Sequence, residues 1–135
     1  MQITTGAIAV PAPVDILYID DDAPLRHAVC DIFREEGLSV DEAGDGSEAL
    51  AIVENGHVPA LVFVDLEMPV MNGHEFLARF KNNPVTAAIP VVVVSGLVRS
   101  CIVGGPDGVI IYVAKPFSAE SLVEYARRFA HKRPD

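Results

Sequence analysis

The stretch Leu61-Val62-Phe63-Val64-Asp65-Leu66-Glu67-Met68-Pro69 decides how this chain folds. An unbroken apolar run from Leu61 to Val64 leads straight into an aspartate. Such a run suits a strand buried on both faces, as in a parallel sheet. Asp65 then stands at the strand's carboxyl end, where open α/β sheets place their chemistry. Pro69 cannot continue a ladder and holds Met68 extended, so the chain turns there. Asn72-Gly73 completes the loop before a helical pattern begins. Many aspartates end strands for no chemical reason, so Asp65 gains meaning only from what the other strands bring beside it.

Working outward towards the N-terminus, Gly44-Asp45-Gly46-Ser47 opens a helix carrying Ala49, Leu50, Ile52 and Val53, which Asn55-Gly56 stops. Leu38 to Ala43 reads as a short strand before it. Leu25, Val29, Ile32 and Phe33 recur at helical spacing, and Gly37 ends that helix. Val14 to Ile19 is a first strand that runs into Asp20-Asp21-Asp22. Asp22 suits a helix N-cap, because Ala23-Pro24 follows and proline fits a first turn. Met1 to Pro13 reads as a loosely ordered tail.

Towards the C-terminus, a helix is expected from Gly73 to Lys81, with Phe76, Leu77 and Phe80 as its core stripe and Asn82-Asn83-Pro84 as its end. Ile89 to Ser95 is a further apolar strand, and Val109 to Ala114 another that ends at Lys115-Pro116. Ser118 caps a last helix whose Leu122, Val123, Ala126, Phe129 and Ala130 face inward. Alternating strands and helices specify an α/β fold, a doubly wound parallel sheet with helices on both faces. All strand carboxyl ends then share one edge, which gathers Asp20, Asp21, Asp65, Ser95 and Lys115. Like charges about 4 Å apart repel by ~4 kcal/mol at an effective dielectric of about 20. A divalent cation with oxygen ligands, such as Mg²⁺, relieves such a cluster.

Composition bounds the function. The 135 residues fit one domain with a real core, half of them apolar and 21% charged. A net charge of -9 argues against direct nucleic-acid binding, which needs a basic face. The two cysteines, Cys30 and Cys101, make no disulfide framework, and residues 1–13 lack a signal-peptide pattern. A cytoplasmic protein is the resulting expectation, without a membrane span.

Taken together, Ile16-Leu17-Tyr18-Ile19-Asp20-Asp21-Asp22, Asp45-Gly46-Ser47-Glu48-Ala49-Leu50, Val64-Asp65-Leu66-Glu67-Met68-Pro69-Val70-Met71-Asn72-Gly73, Pro90-Val91-Val92-Val93-Val94-Ser95-Gly96 and Tyr112-Val113-Ala114-Lys115-Pro116-Phe117 resemble the receiver domain of two-component response regulators, the CheY-like family. The likeness covers about residues 14–131, leaving 1–13 and 132–135 as tails. It implies a five-stranded flavodoxin-like sheet in the order 2-1-3-4-5. It implies that Asp65 accepts a phosphoryl group from a histidine kinase or histidine phosphotransfer protein, in a reaction dependent on Mg²⁺ (or Mn²⁺). Asp20, Asp21, Asp65 and the backbone carbonyl of Glu67 would hold the metal, Asp20 partly through water. Lys115 and the Ser95 hydroxyl would contact phosphoryl oxygens, aided by backbone amides after Asp65 and at Gly96. Lys115-Pro116 would be a cis peptide, aiming the lysine inward. Ser95 and Tyr112 would form the switch that a downstream protein, or an output domain outside this chain, reads. The domain would catalyse only its own phosphorylation and dephosphorylation.

The chain departs from the pattern between Ser95 and Lys115, where the family places a full helix. Residues 97–108 hold three glycines and Pro106, which oppose one. Leu97, Val98, Cys101 and Ile102 would support at most a short turn, so this fourth helix is expected to be shortened, displaced or absent. The family's usual dimer and output face is then altered, and apolar residues of the segment, if exposed, would meet a dedicated partner. Glu67 and Leu97 stand where the family's hydrolytic water passes, which suggests a phosphorylated form that is not unusually short-lived. Arg127, Arg128, His131, Lys132 and Arg133 form the one basic cluster, favourable at a helix C-terminus for local reasons. The chain suits a stand-alone regulator or a receiver excised from a longer protein. Two other classes compete. A haloacid-dehalogenase phosphatase needs a second aspartate where Glu67 stands. A pseudo-receiver, binding partners without phosphorylation, usually loses an acidic residue, the acceptor or the lysine, all of which this chain has.

Overall fold

The computed structural model describes residues 14–68, 71–96, 101–105 and 108–130. Their elements are β1 (Val14–Ile19), α1 (Ala23–Glu35), β2 (Val40–Ala43), α2 (Gly46–Glu54), β3 (Pro59–Asp65), α3 (Gly73–Asn82), β4 (Val91–Ser95), β5 (Cys101–Gly105), β6 (Gly108–Ala114) and α4 (Ala119–Ala130). The expected tails, residues 1–13 and 132–135, and the expectations placed on Leu97 and Val98 lie outside the described residues. Among the described residues, no helix is long and apolar enough to cross a membrane.

Five strands are parallel, in the order β2-β1-β3-β4-β6, which is the flavodoxin-like arrangement. The crossovers through α1, α2 and α3 carry the chain over the faces of the sheet, and strand alternation sorts the core into two layers. On one face, Ile16, Tyr18, Leu61, Phe63, Val92, Val94 and Ile111 meet Val29, Cys30 and Phe33 of α1 and Leu122, Val123 and Ala126 of α4. On the other, Leu17, Ile19, Val62, Val64, Val91 and Val93 meet Ala49 and Val53 of α2 and Phe76 and Phe80 of α3. The continuous apolar runs of β3 and β4 are thus explained, since neither face of these strands meets water.

Beyond the five parallel strands the sheet has a sixth. Residues 101–105 form β5, antiparallel to β6 at the sheet's edge, with Cys101 opposite Tyr112 and Gly105 opposite Gly108. The expected five parallel strands are all present, with β5 added to them as an antiparallel edge strand, and the turn of helix offered for Cys101 and Ile102 is corrected to a strand. Among the described residues no helix lies between β4 and β6, so the fourth helix of the family pattern is absent there. The physical reason is local. Cys101-Ile102-Val103 favours an extended chain, and Gly104, Gly105 and Gly108 carry the lowest helix propensity apart from proline.

The helix starts obey their caps. Side-chain oxygens of Asp22, Asp45 and Asn72 accept from the amides of Leu25, Glu48 and Glu75 at 3.1, 2.8 and 2.9 Å. The Ser118 hydroxyl oxygen accepts from the Ser121 amide at 3.2 Å ahead of α4. Gly37 closes α1 at φ +85°, a region open to glycine. Two strands start later than their apolar runs. Leu38 is tied back to α1 through the Phe33 carbonyl. The carbonyls of Ala87 and Ile89 accept from the Lys81 ammonium at 3.0 and 2.7 Å, which holds them out of the β4 ladder.

Candidate functional site

β1, β3, β4 and β6 all end at one edge, and their parity fixes where each terminal side chain sits. Asp20 continues the Ile16–Tyr18 series, Asp65 the Leu61–Phe63 series, and Lys115 the Ile111–Val113 series, so the three share the sheet face that α1 and α4 cover. Ser95 continues Val91 and Val93 on the opposite face, as Tyr112 continues Ile110. Asp20 and Asp65 are 3% and 4% exposed, which is unusual for carboxylates, and Ser95 is fully buried. Asp21 is exposed.

Asp20, Asp21 and Asp65 each offer an oxygen within 4.8 Å of the others. Lys115 Nζ donates to Asp65 Oδ2 at 2.8 Å, and the Glu67 amide donates to Asp65 Oδ1 at 2.9 Å. The Asp22 amide donates to Asp20 Oδ1 at 2.9 Å. Burial pushes the Asp20 carboxyl above the ordinary aspartate range, with the charges of Asp65 and Asp21 adding to the rise and the Asp22 amide and Lys115 opposing it. Burial alone would lower Lys115. The hydrogen bond and charge of Asp65, joined by Asp20 and Glu67, outweigh it and hold the ammonium above the ordinary lysine range. The Lys115-Pro116 peptide is cis. The Lys115 amide donates to the Ser95 carbonyl at 2.9 Å, binding the ends of β4 and β6 together.

The loop after Asp65 is held by close backbone approach. The Gly73 amide donates to the Leu66 carbonyl at 3.1 Å. A Cβ on Gly73 would fall 2.5 Å from the Asp65 carbonyl oxygen, so only glycine lets α3 start this near the end of β3.

Two contacts were not legible in the sequence. Arg26 Nη1 donates to the Asp20 carbonyl at 2.7 Å while its Nε donates to Glu42 Oε1 at 3.1 Å, so α1 and β2 together brace the acidic corner. The available cue was a cation in the first turn of a helix, where the dipole disfavours it. Ser95 Oγ donates to Glu67 Oε2 at 2.7 Å, which the sequence did not signal at all.

The donor set fits a hard divalent cation. Carboxylate oxygens are its preferred ligands, and two ligands ~2.1 Å from one Mg²⁺ lie up to about 4.2 Å apart, close to the spread of the three aspartates. The unfavourable burial of Asp20 is the kind that a cation offsets.

A doubly wound sheet with an acidic triad and a facing lysine at its carboxyl edge defines a CheY-like receiver. The chain belongs to the response regulator receiver domain family, whose pattern matches residues 16–127, and is a module of two-component signalling. It is 34% identical over 114 residues to protein PilG of Pseudomonas aeruginosa, covering 80% of this chain and 81% of that protein. It is 31% identical over 125 residues to the sensor histidine kinase CheAY of Helicobacter pylori, covering 87% of this chain. The chain spans 15% of that kinase's length and 47% of the length of the Mycobacterium tuberculosis transcriptional regulatory protein TcrA, to which it is 30% identical. Among solved structures, the Vibrio cholerae chemotaxis protein CheY4 superposes with a TM-score of 0.70 at 25% identity, covering 87% of this chain and 99% of that one. The receiver domain of the Francisella response regulator 1452 shares the fold, with a TM-score of 0.72 over 88% of this chain and 98% of its own.

Proposed function

We propose that Asp65 is a phosphoacceptor. Its Oδ attacks the phosphorus of a phosphohistidine, the P–N bond breaks, and the electron pair leaves with the imidazole, which takes up a proton. The product is an acyl phosphate on Asp65. Phosphoryl transfer asks little covalent work of a protein and much positioning and charge neutralisation. Asp20, Asp21, Asp65 and the Glu67 carbonyl would hold Mg²⁺ or Mn²⁺, with Asp20 acting partly through water. When bound, the metal neutralises charge on the phosphoryl oxygens. Lys115, already beside Asp65, would move its hydrogen bond from the carboxylate to an incoming phosphoryl oxygen. The Ser95 hydroxyl would bond another, and Tyr112 would follow it across the shared sheet face. The donor would be a histidine kinase or histidine phosphotransfer protein in the cytoplasm. A downstream protein, or an output domain beyond this chain, would read the change. Self-phosphorylation and self-dephosphorylation would be its only catalysis.

The observation that carries this reading is the Lys115–Asp65 ion pair at 2.8 Å beside the triad of carboxylates. A pseudo-receiver has no specific observation in its favour. The test is intact mass after incubation with acetyl phosphate, with and without Mg²⁺. The expected result is a metal-dependent gain of one phosphoryl group that Asp65→Asn abolishes. No gain from this donor, from a phosphorylated histidine kinase or from a phosphotransfer protein would overturn it.

A further inference from the structure

Ser95 is fully buried, and its hydroxyl donates a 2.7 Å hydrogen bond to Glu67 Oε2. A hydroxyl has one proton to give, so while Glu67 holds it, a phosphoryl oxygen on Asp65 cannot. The bond is charge-assisted, and such bonds are roughly twice as strong as neutral ones. Glu67 is also fixed by its main chain, whose amide donates to Asp65 Oδ1 at 2.9 Å. One residue therefore touches the acceptor carboxylate with its backbone and the buried hydroxyl with its side chain.

We propose that the Glu67 carboxylate is a latch on Ser95, a positioning residue that sets how readily the hydroxyl reaches a group on Asp65. This rests on Asp65 being the phosphoacceptor. With Asp65 a bare carboxylate paired to Lys115, the latch is closed. A phosphoryl group, or an anion of its shape, places negative charge beside Glu67 and offers Ser95 a second acceptor. Glu67 is exposed, so its side chain can turn to water and release the hydroxyl. Each binding event thus spends part of its free energy on opening the latch, which weakens apparent affinity by the fraction of molecules found open. Tyr112 lies on the same sheet face as Ser95, so a Ser95 side chain released by Glu67 moves on the face that Tyr112 shares.

A latch makes a demand that simple repulsion does not: the effect of Glu67 must run through Ser95. The test is a double-mutant cycle read by calorimetric titration with beryllofluoride, a phosphoryl mimic, in the presence of Mg²⁺. In the otherwise unaltered protein, Glu67→Ala is expected to tighten binding about tenfold, the weight of one charge-assisted hydrogen bond. In a Ser95→Ala background the same substitution is expected to give less than about threefold, the residue of long-range repulsion. Glu67→Gln, which keeps an acceptor for the hydroxyl but loses the charge, is expected to fall between the wild type and Glu67→Ala. Thermal melts establish that each variant is folded. Should Ser95→Ala fold poorly, Ser95→Cys replaces it, since a thiol is only a weak donor. An equal factor in both backgrounds overturns the latch and leaves the phosphoacceptor reading standing. Absence of Mg²⁺-dependent binding in every protein, with no phosphorylation by acetyl phosphate, a phosphorylated histidine kinase or a phosphotransfer protein, overturns both.

Discussion

Replacing Gly73 with alanine would build a Cβ 2.5 Å from the Asp65 carbonyl oxygen, 2.7 Å from the Leu66 Cα and 3.1 Å from the Asp65 carbonyl carbon. All three are backbone atoms of β3 and its exit, so no side chain can swing aside. Carbon atoms are comfortable at about 3.5–4.0 Å, so α3 must retreat from β3 by nearly an ångström or the loop must bend. Overpacking of this kind costs about 1–3 kcal/mol. For a domain of this size each kcal/mol is worth ~3–5 °C of melting temperature, so a fall of about 3–15 °C is expected. Alanine's better helix propensity gives back under ~1 kcal/mol, and less at a helix's first residue than in its interior. The retreat should also disturb the Glu67 amide that anchors Asp65, so Mg²⁺ affinity, read by calorimetry, should weaken as well. Gly96→Ala is the control, because a Cβ there meets nothing within 4 Å. A Gly73→Ala protein that melts within about 1 °C of the wild type, with unchanged Mg²⁺ affinity, would refute the claim that this contact positions Asp65.

Three further outcomes follow from the same structure. Asp20→Asn keeps an oxygen for the Asp22 amide while removing a buried charge whose proton affinity is raised. It should therefore raise the melting temperature by ~2–5 °C in chelator at neutral pH, and lose most of that gain in Mg²⁺. Glu42 is subject to burial, which would raise its pKa, but the hydrogen bonds from Arg34, Arg26 and His27 outweigh burial and hold it below 4.5. Its contribution is present above about pH 4.5 and lost as pH falls through the lower folded value, so the stability gap between wild type and Glu42→Gln in urea should close as the pH is taken progressively below 4.5. Phe33 is fully buried, with ring centroids 5.2 Å from Phe63 and 6.1 Å from Tyr18, so Phe33→Ala should cost about 3–5 kcal/mol in denaturant unfolding.

Most of the parallel sheet was legible because its signals are local and redundant. The apolar runs of β3 and β4 suited strands buried on both faces, and Asp22 caps the helix that it precedes. The gathering of Asp20, Asp21 and Asp65 followed from topology alone, since parallel strands share a carboxyl edge. What escaped was of another kind. Gly104, Gly105 and Gly108 argued against helix without arguing for a strand, and β5 exists by pairing with β6, a contact that no single-segment pattern encodes. The Glu67–Ser95 bond joins residues 28 apart through side-chain rotamers, and Arg26 reaches a backbone carbonyl, which carries no residue identity to be read.

The added strand changes what β6 is. In a five-stranded sheet it would be an edge, with every second amide facing solvent. Here Ile110, Ile111 and Tyr112 have β4 on one side and β5 on the other. Amide groups of a strand point alternately to its two neighbours, so across this stretch each has a strand to bond. In deuterated water, residues 110–112 should therefore exchange slowly as one continuous run rather than at alternate positions. Slow exchange there also limits how a signal can travel. If Tyr112 is the switch proposed above, its ring would turn while its backbone stays clamped, so a change of state should leave the deuterium uptake of β6 nearly untouched. Rapid uptake through the same run on beryllofluoride binding would mean instead that β5 peels away, and that the message is carried by the unzipping of a hairpin.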